Sequence, residues 1–237
     1  MANSDELRKN LNQHIQKNSE SKHMDNNLEN IITNKIMPYL KEKYPKIEFK
    51  HQKKMSLEEV IDILKDQAPS LSSFFCKKSK TRKKYSEFSE TAFFMPDGGI
   101  LYFEKDGKKK IILISEMKRQ GTNDKRINEK LGKQSKGNAV ERLGKNLIIV
   151  RDLFKSEKII PFVCFGKGCD FSLESSILDR IISMNDGFSL NKIIVKKDYL
   201  PFEPVSMMFK EKDWTEKSIT NICLNIAETS ISYYLKQ

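Results

Sequence analysis

Asp97, Glu116 and Lys118 are the residues whose types and spacing most suggest chemistry at a single point. Two β-type runs, Ile100–Glu104 and Lys110–Met117, flank the turn signal Asp106-Gly107. A two-residue turn there sets Lys105 against Lys108. Continued pairing predicts Asp97 opposite Glu116, with Cβ atoms roughly 4.5–5.5 Å apart. Side chains alternate along a strand, so Lys118 shares the face of Glu116. Gly98-Gly99 is the place where a bulge is expected to shift this register. Opposed carboxylates repel unless a proton or cation sits between them. Mg2+ fits such a position, because it prefers one or two carboxylates together with water and phosphate oxygens. With an amine alongside, the chemistry implied is metal-assisted phosphodiester hydrolysis. The competing reading is a surface hairpin in which Asp97 caps a turn and Glu116 and Lys118 are solvated. The apolar run Ile111–Ile114 leads directly into Glu116 and weighs against it.

The elements that must position these residues follow from patterning along the 237-residue chain, a length that suits one compact domain. Residues 1–25 lack apolar periodicity and are expected to form a mobile arm, with 26–237 a single nuclease domain. Leu28, Ile31, Ile32, Ile36 and Leu40 recur at helical spacing, and Met37-Pro38 marks a kink or boundary. Ser56-Leu57-Glu58-Glu59 reads as a capping box opening a helix through Leu64. Thr122–Lys136 is polar and lysine-rich, an exposed excursion. A helix is predicted from Asn138, with Val140, Leu143, Leu147, Val150 and Phe154 on one face. Strands are predicted at Ile159–Phe165 (closed by Gly166 and Gly168), Ile193–Lys196 and Val205–Phe209, and a helix from Thr215 to Leu235. Strands alternating with helices predict an α/β fold, a central mixed β-sheet flanked by helices.

Charge and composition narrow the partners. The formal net charge of +11 favours a polyanion: DNA, RNA or an anionic membrane. Lys77 to Lys84 holds six basic residues in eight, either a solvated loop or part of a DNA-facing surface. No apolar stretch approaches the roughly 20 residues a spanning helix needs, and no apolar segment follows Met1. A cytoplasmic protein without a membrane partner is expected. Cys76, Cys164, Cys169 and Cys223 are few for the length and lack zinc-ligand spacing, so they read as core residues in a reducing compartment. His14, His23 and His51 precede the strand pair and show no ligand spacing either.

Three motifs occur in order: Met95-Pro96-Asp97-Gly98-Gly99-Ile100, Glu116-Met117-Lys118-Arg119-Gln120-Gly121 and Gly137-Asn138-Ala139-Val140-Glu141-Arg142. Together they resemble the EcoRI/MunI-like type II restriction endonucleases of the PD-(D/E)XK nuclease superfamily. Weaker similarity extends the resemblance over roughly residues 90–225. It implies that Asp97 and Glu116 bind Mg2+, helped by the Met117 carbonyl, while Lys118 assists catalysis. It also implies a homodimer cutting both strands of a palindrome in double-stranded DNA, and a companion methyltransferase that protects the host. The segment Gly137–Arg142 would read an AATT core in the major groove, as in GAATTC or CAATTG. Asn138 would pair with adenine, with Ala139, Glu141 and Arg142 beside it. Gln120 and Arg180 match positions near the outer base pair. Gln134-Ser135-Lys136 is more polar than the family pattern and Ser183 stands where the family has an arginine, which leaves the outer pair open.

Without the family, Asn138 and Glu141 form an Asn-X-X-Glu helix start, and the two readings compete for one amide oxygen. The neighbouring basic excursion favours base contact. Two other functions remain: a repair or junction nuclease of the same superfamily, which would not need the Gly137–Arg142 element, and a non-catalytic basic DNA- or RNA-binding protein.

Overall fold

A computed structural model describes residues 28–67, 93–119, 128, 130, 138–168, 176–197 and 203–237. The basic run at 77–84, Cys76, Cys169, Gln120 and the arm at 1–25 lie outside the described residues, as does nearly all of the excursion at 122–136.

The chain enters through helix α1 (28–43), whose Leu28, Ile31, Ile32, Ile36 and Leu40 are all buried. Its middle, Ile32–Ile36, is wound as a π turn, and the α-helix resumes at Met37–Lys43 with Pro38 at its start. Proline has no amide hydrogen to give an upstream carbonyl, so a change of winding just before it is the expected accommodation. Strands β1 (Phe49–Gln52) and β2 (Met55–Ser56) follow. Helix α2 (Leu57–Gln67) opens with the predicted capping box. The Ser56 amide donates to Glu59 Oε2 at 2.9 Å and the Glu59 amide to Ser56 Oγ at 3.1 Å. Such a cap contributes about 1 kcal/mol.

Next come β3 (Phe93–Phe94), β4 (Ile100–Lys105), β5 (Lys108–Arg119) and helix α3 (Asn138–Leu153). Strand β6 (Phe162–Lys167), helix α4 (Ser176–Met184), strand β7 (Ser206–Lys210) and helix α5 (Glu216–Leu235) complete the described chain. The main sheet has five strands in the order β1-β4-β5-β6-β7. Its first three pair antiparallel, and β5-β6 and β6-β7 pair parallel, which makes the sheet mixed as expected. The parallel half requires crossovers, and α3 and α4 occupy them.

Each face of the sheet carries its own core. One face packs Ile100, Tyr102, Ile111, Ile114, Phe162, Cys164, Met207 and Phe209 against α2, α3 and α4. The other packs Leu101, Phe103, Ile112, Leu113, Met117, Val163, Phe165 and Met208 against α1 and α5. The predicted stripe Val140, Leu143, Leu147, Val150 and Phe154 is buried in the first core.

The assignment of residues to faces exposes the most consequential feature of β5. Lys105 faces Lys108 as expected, and the register runs to Tyr102↔Ile111. It then slips by one, to Leu101↔Leu113 and Ile100↔Ile114, leaving Ile112 as an extra residue. Ile112 and Leu113 consequently enter the same core, whereas Ile111 and Ile114 enter the other. The bulge was expected at Gly98-Gly99 and instead lies deep in the hairpin. Its effect is to turn every later residue of β5 over, which puts Glu116 and Lys118 on the α3 side.

Two strand predictions need correction. Strand β6 runs on to Lys167, and Gly166 lies within it rather than closing it. The Phe209 ring of β7 occupies the space a side chain would need, since a Cβ on Gly166 would come within 2.0 Å of it. Ile193–Lys196 is not a strand, because it makes only an isolated bridge, Ile159↔Lys196.

Gly166→Ala forces Phe209 out of its place, and we expect it to lower stability by about 1–3 kcal/mol in urea unfolding. An unchanged midpoint would mean that Phe209 has room to move.

Candidate active site

Asp97 does not sit on β4. It lies in the turn before the strand, and that turn is tied down on both sides. The Gly99 amide donates to Pro96 O at 2.9 Å and the Gly98 amide donates to Ser115 O at 3.0 Å. On the other side His51 Nε2 lies 3.0 Å from Gly98 O. A carbonyl only accepts, so the imidazole carries its proton on Nε2. Both glycines are required. Gly99 has φ of +72°, and a Cβ on it would meet the Gln52 carbonyl at 2.8 Å, while a Cβ on Gly98 would meet Ser115 Oγ at 1.9 Å. Direct strand pairing of Asp97 with Glu116 is therefore corrected to a turn folded down onto β5.

The correction preserves the meeting. Asp97 Oδ2 accepts from the Met117 amide at 2.9 Å, and the Asp97 amide donates to Glu116 Oε2 at 3.1 Å. Lys118 Nζ lies 3.4 Å from Asp97 Oδ2 and 3.2 Å from Met117 O, and it also bonds Glu116 Oε1. Asn146 Nδ2, from α3, donates to that same Oε1 at 2.9 Å. Glu116 itself is 2 % exposed and stands directly across the parallel β5-β6 pair from buried Cys164.

Burial dominates the electrostatics. It pushes the Glu116 carboxyl up, Lys118 opposes that, and Asp97 adds to it, for a net rise from 4.5 to about 7. Burial alone would lower Lys118, but Glu116 and Asp97 outweigh it and hold the ammonium well above its ordinary value. Burial likewise raises the Cys164 thiol, keeping it neutral beside the charges.

This donor set suits a hard divalent cation. Asp97 Oδ2, Glu116 Oε1 and Met117 O already converge on one cationic atom, the Lys118 nitrogen. Two carboxylates and a carbonyl, completed by water and phosphate, make a ligand set of the kind magnesium takes. Among the described residues no group of three or more His, Cys, Asp or Glu is placed to hold a metal.

Asp97, Glu116, Met117 and Lys118 are thus brought together. The predicted recognition residues are seen less fully. Asn138, Ala139 and Glu141 lie in α3 but their side chains are outside the described set, as is Gln120. Arg142 is exposed on α3 and Arg180 is exposed on α4. Sequence reasoning missed Asn146 and His51. The available signal for Asn146 was a polar residue next to Leu147 on the apolar side of α3, eight positions after Asn138.

A mixed sheet that brings a Pro-Asp turn onto a Glu-X-Lys strand defines a nuclease of the PD-(D/E)XK class. Residues 12–181 match the family model for restriction endonuclease EcoRI, and the chain belongs to that family. The match begins well upstream of residue 90, where the motif resemblance started. Over 84 % of its length the chain is 25 % identical to the type II restriction enzyme RsrI of Cereibacter sphaeroides, covering 81 % of that protein. It is 23 % identical to the type II restriction enzyme EcoRI of Escherichia coli over 84 % of its length, covering 82 % of that enzyme. No helix among the described residues is long and apolar enough to cross a membrane.

The raised Glu116 pKa has a signed consequence for stability. The folded protein holds that proton more tightly than the unfolded chain, so the contribution is fully present below about pH 4.5 and is lost as pH rises toward 7. Glu116→Gln removes this titration, while its amide nitrogen meets a donor, either the Asp97 amide or Asn146 and Lys118. Without divalent cations, the melting temperature of the wild type should fall relative to that of the variant as pH rises from about 4.5 toward 7. A difference independent of pH contradicts the assignment.

Proposed function

We propose that the protein is a magnesium-dependent type II restriction endonuclease that hydrolyses double-stranded DNA at a short palindrome with an AATT core, of the GAATTC or CAATTG type. The observation that carries this reading is the convergence of Asp97 Oδ2, Glu116 Oε1 and Met117 O on one cation position. Bound magnesium would offset the negative charge that grows on the phosphoryl oxygens and lower the pKa of water. Asp97 and Glu116 hold that charge in place, the first by a turn fixed to β5 and the second by burial. Lys118, kept protonated, donates to a phosphoryl oxygen once the carboxylates have another cation to face. A water oxygen bonds to phosphorus as the bond to the leaving sugar oxygen breaks.

The recognition assignments support sequence-specific cutting. Asn138 opens α3 and Arg142 follows one turn later, on the helix that packs over the same sheet face as Glu116. The paired donor and acceptor of the Asn138 amide suit adenine in the major groove, with Ala139, Glu141 and Arg142 alongside and Gln120 and Arg180 toward the outer pair. A homodimer would match the two-fold symmetry of a palindrome. A cognate DNA methyltransferase would protect the host. The net charge of +11 suits the phosphate backbone.

Asp97→Ala and Glu116→Ala should each abolish magnesium-dependent cleavage of plasmid DNA into discrete fragments. Full activity in either variant removes the metal assignment. Asn138→Ala should weaken cognate binding by about 1–3 kcal/mol in gel-shift titrations while leaving nonspecific binding in place. An equal loss on all sequences would reduce Asn138 to a helix cap.

A further inference from the structure

We propose that Asn146 is a positioning residue that ties the recognition helix α3 to the carboxylate of Glu116, so that the setting of this helix fixes the orientation of that group. The inference rests on the nuclease reading above. Glu116 is buried and its Oε2 is occupied by the Asp97 amide. Its Oε1 accepts from two groups, Lys118 Nζ and Asn146 Nδ2, the latter at 2.9 Å. An ionised carboxylate only accepts, so the amide nitrogen of Asn146 must face it.

These two donors differ in kind. Lys118 lies two residues from Glu116 on the same strand, and its flexible stem can turn the ammonium toward a phosphate. Asn146 lies 30 residues away, on a helix held by Leu143, Leu147 and Val150 in the core. The amide thus remains as a fixed anchor when the ammonium leaves.

Helical geometry links this anchor to DNA. Asn138, Arg142 and Asn146 are spaced by four residues along α3, so they fall on one stripe of the helix. The first two positions are those proposed to meet base edges, and the third meets the metal-binding glutamate. A tilt or slide of α3 on a wrong sequence is therefore felt at Glu116 through one hydrogen bond. Replacing residues that orient metal ligands through such bonds typically costs about 10–100-fold in metal affinity or activity.

The test uses the full-length protein with Asn146→Leu, close in volume but without a donor, and Asn146→Ala. Thermal unfolding establishes that the variants fold. Mn2+ binding to each folded variant, measured by electron paramagnetic resonance, should weaken, and single-turnover cleavage of whichever of the GAATTC and CAATTG duplexes the wild type cuts should slow, by about 10–100-fold. Binding of the same duplex without divalent cations should be unchanged. Wild-type Mn2+ affinity and cleavage rate in either folded variant would overturn the proposal. So would a loss of duplex binding that fully accounts for the slower cutting, since Asn146 would then be a DNA contact. Wild-type protein that binds Mn2+ without cutting any duplex contradicts the function, yet the Mn2+ comparison still decides the role of Asn146.

Discussion

Two carboxylates held together, one of them buried, must find positive charge. Exclusion of water from Glu116 strengthens their repulsion and penalises its ionised form. The folded chain answers with Lys118, whose ammonium touches both side chains and the Met117 carbonyl. A single internal cation offsets only part of the charge of two anions, and the remaining demand is what a divalent ion satisfies. The same imbalance that costs the folded protein stability suits the proposed metal site.

Most of the local architecture serves to bring about that imbalance. The bulge at Ile112 rotates the end of β5, sending Glu116 and Lys118 to the face covered by α3 and leaving Met117 in the opposite core. The Pro96–Gly99 turn lowers Asp97 onto the strand, and its two glycines allow the backbone to pass between Ser115 and His51. The parallel pairing of β5 with β6 sets Cys164 beside Glu116, a small neutral wall against a charged group. Helix α3, needed to cross between two parallel strands, also carries Asn146 and the proposed base-reading residues. One element therefore meets the demand of topology and carries the residues proposed for positioning and recognition.

Features encoded by near neighbours were legible in the sequence. The Ser56–Glu59 cap, the Asp106-Gly107 turn, the stripe from Val140 to Phe154 and the proximity of Asp97, Glu116 and Lys118 all follow from spacing. The bulge did not, because Ile111–Ile114 is apolar at every position and any of these residues suits either core. Nor did the extent of β6: Gly166 reads as a stop until Phe209 is seen against it. The partners of Asn146 and His51 lie 30 and 47 residues away in sequence, beyond the reach of periodicity. Asn146 bonds the Glu116 carboxylate, and His51 bonds the turn that carries Asp97.

The central claim is that Asp97, Glu116 and the Met117 carbonyl share one cation whose place Lys118 now fills. Anomalous diffraction from crystals grown with a duplex the protein cuts and soaked in Mn2+ tests it directly. The account predicts a peak about 2.1 Å from a carboxylate oxygen of each acid and from Met117 O, with the Lys118 nitrogen displaced toward the DNA. A peak bonded to neither carboxylate, or Lys118 still between them beside a cut duplex, would contradict it.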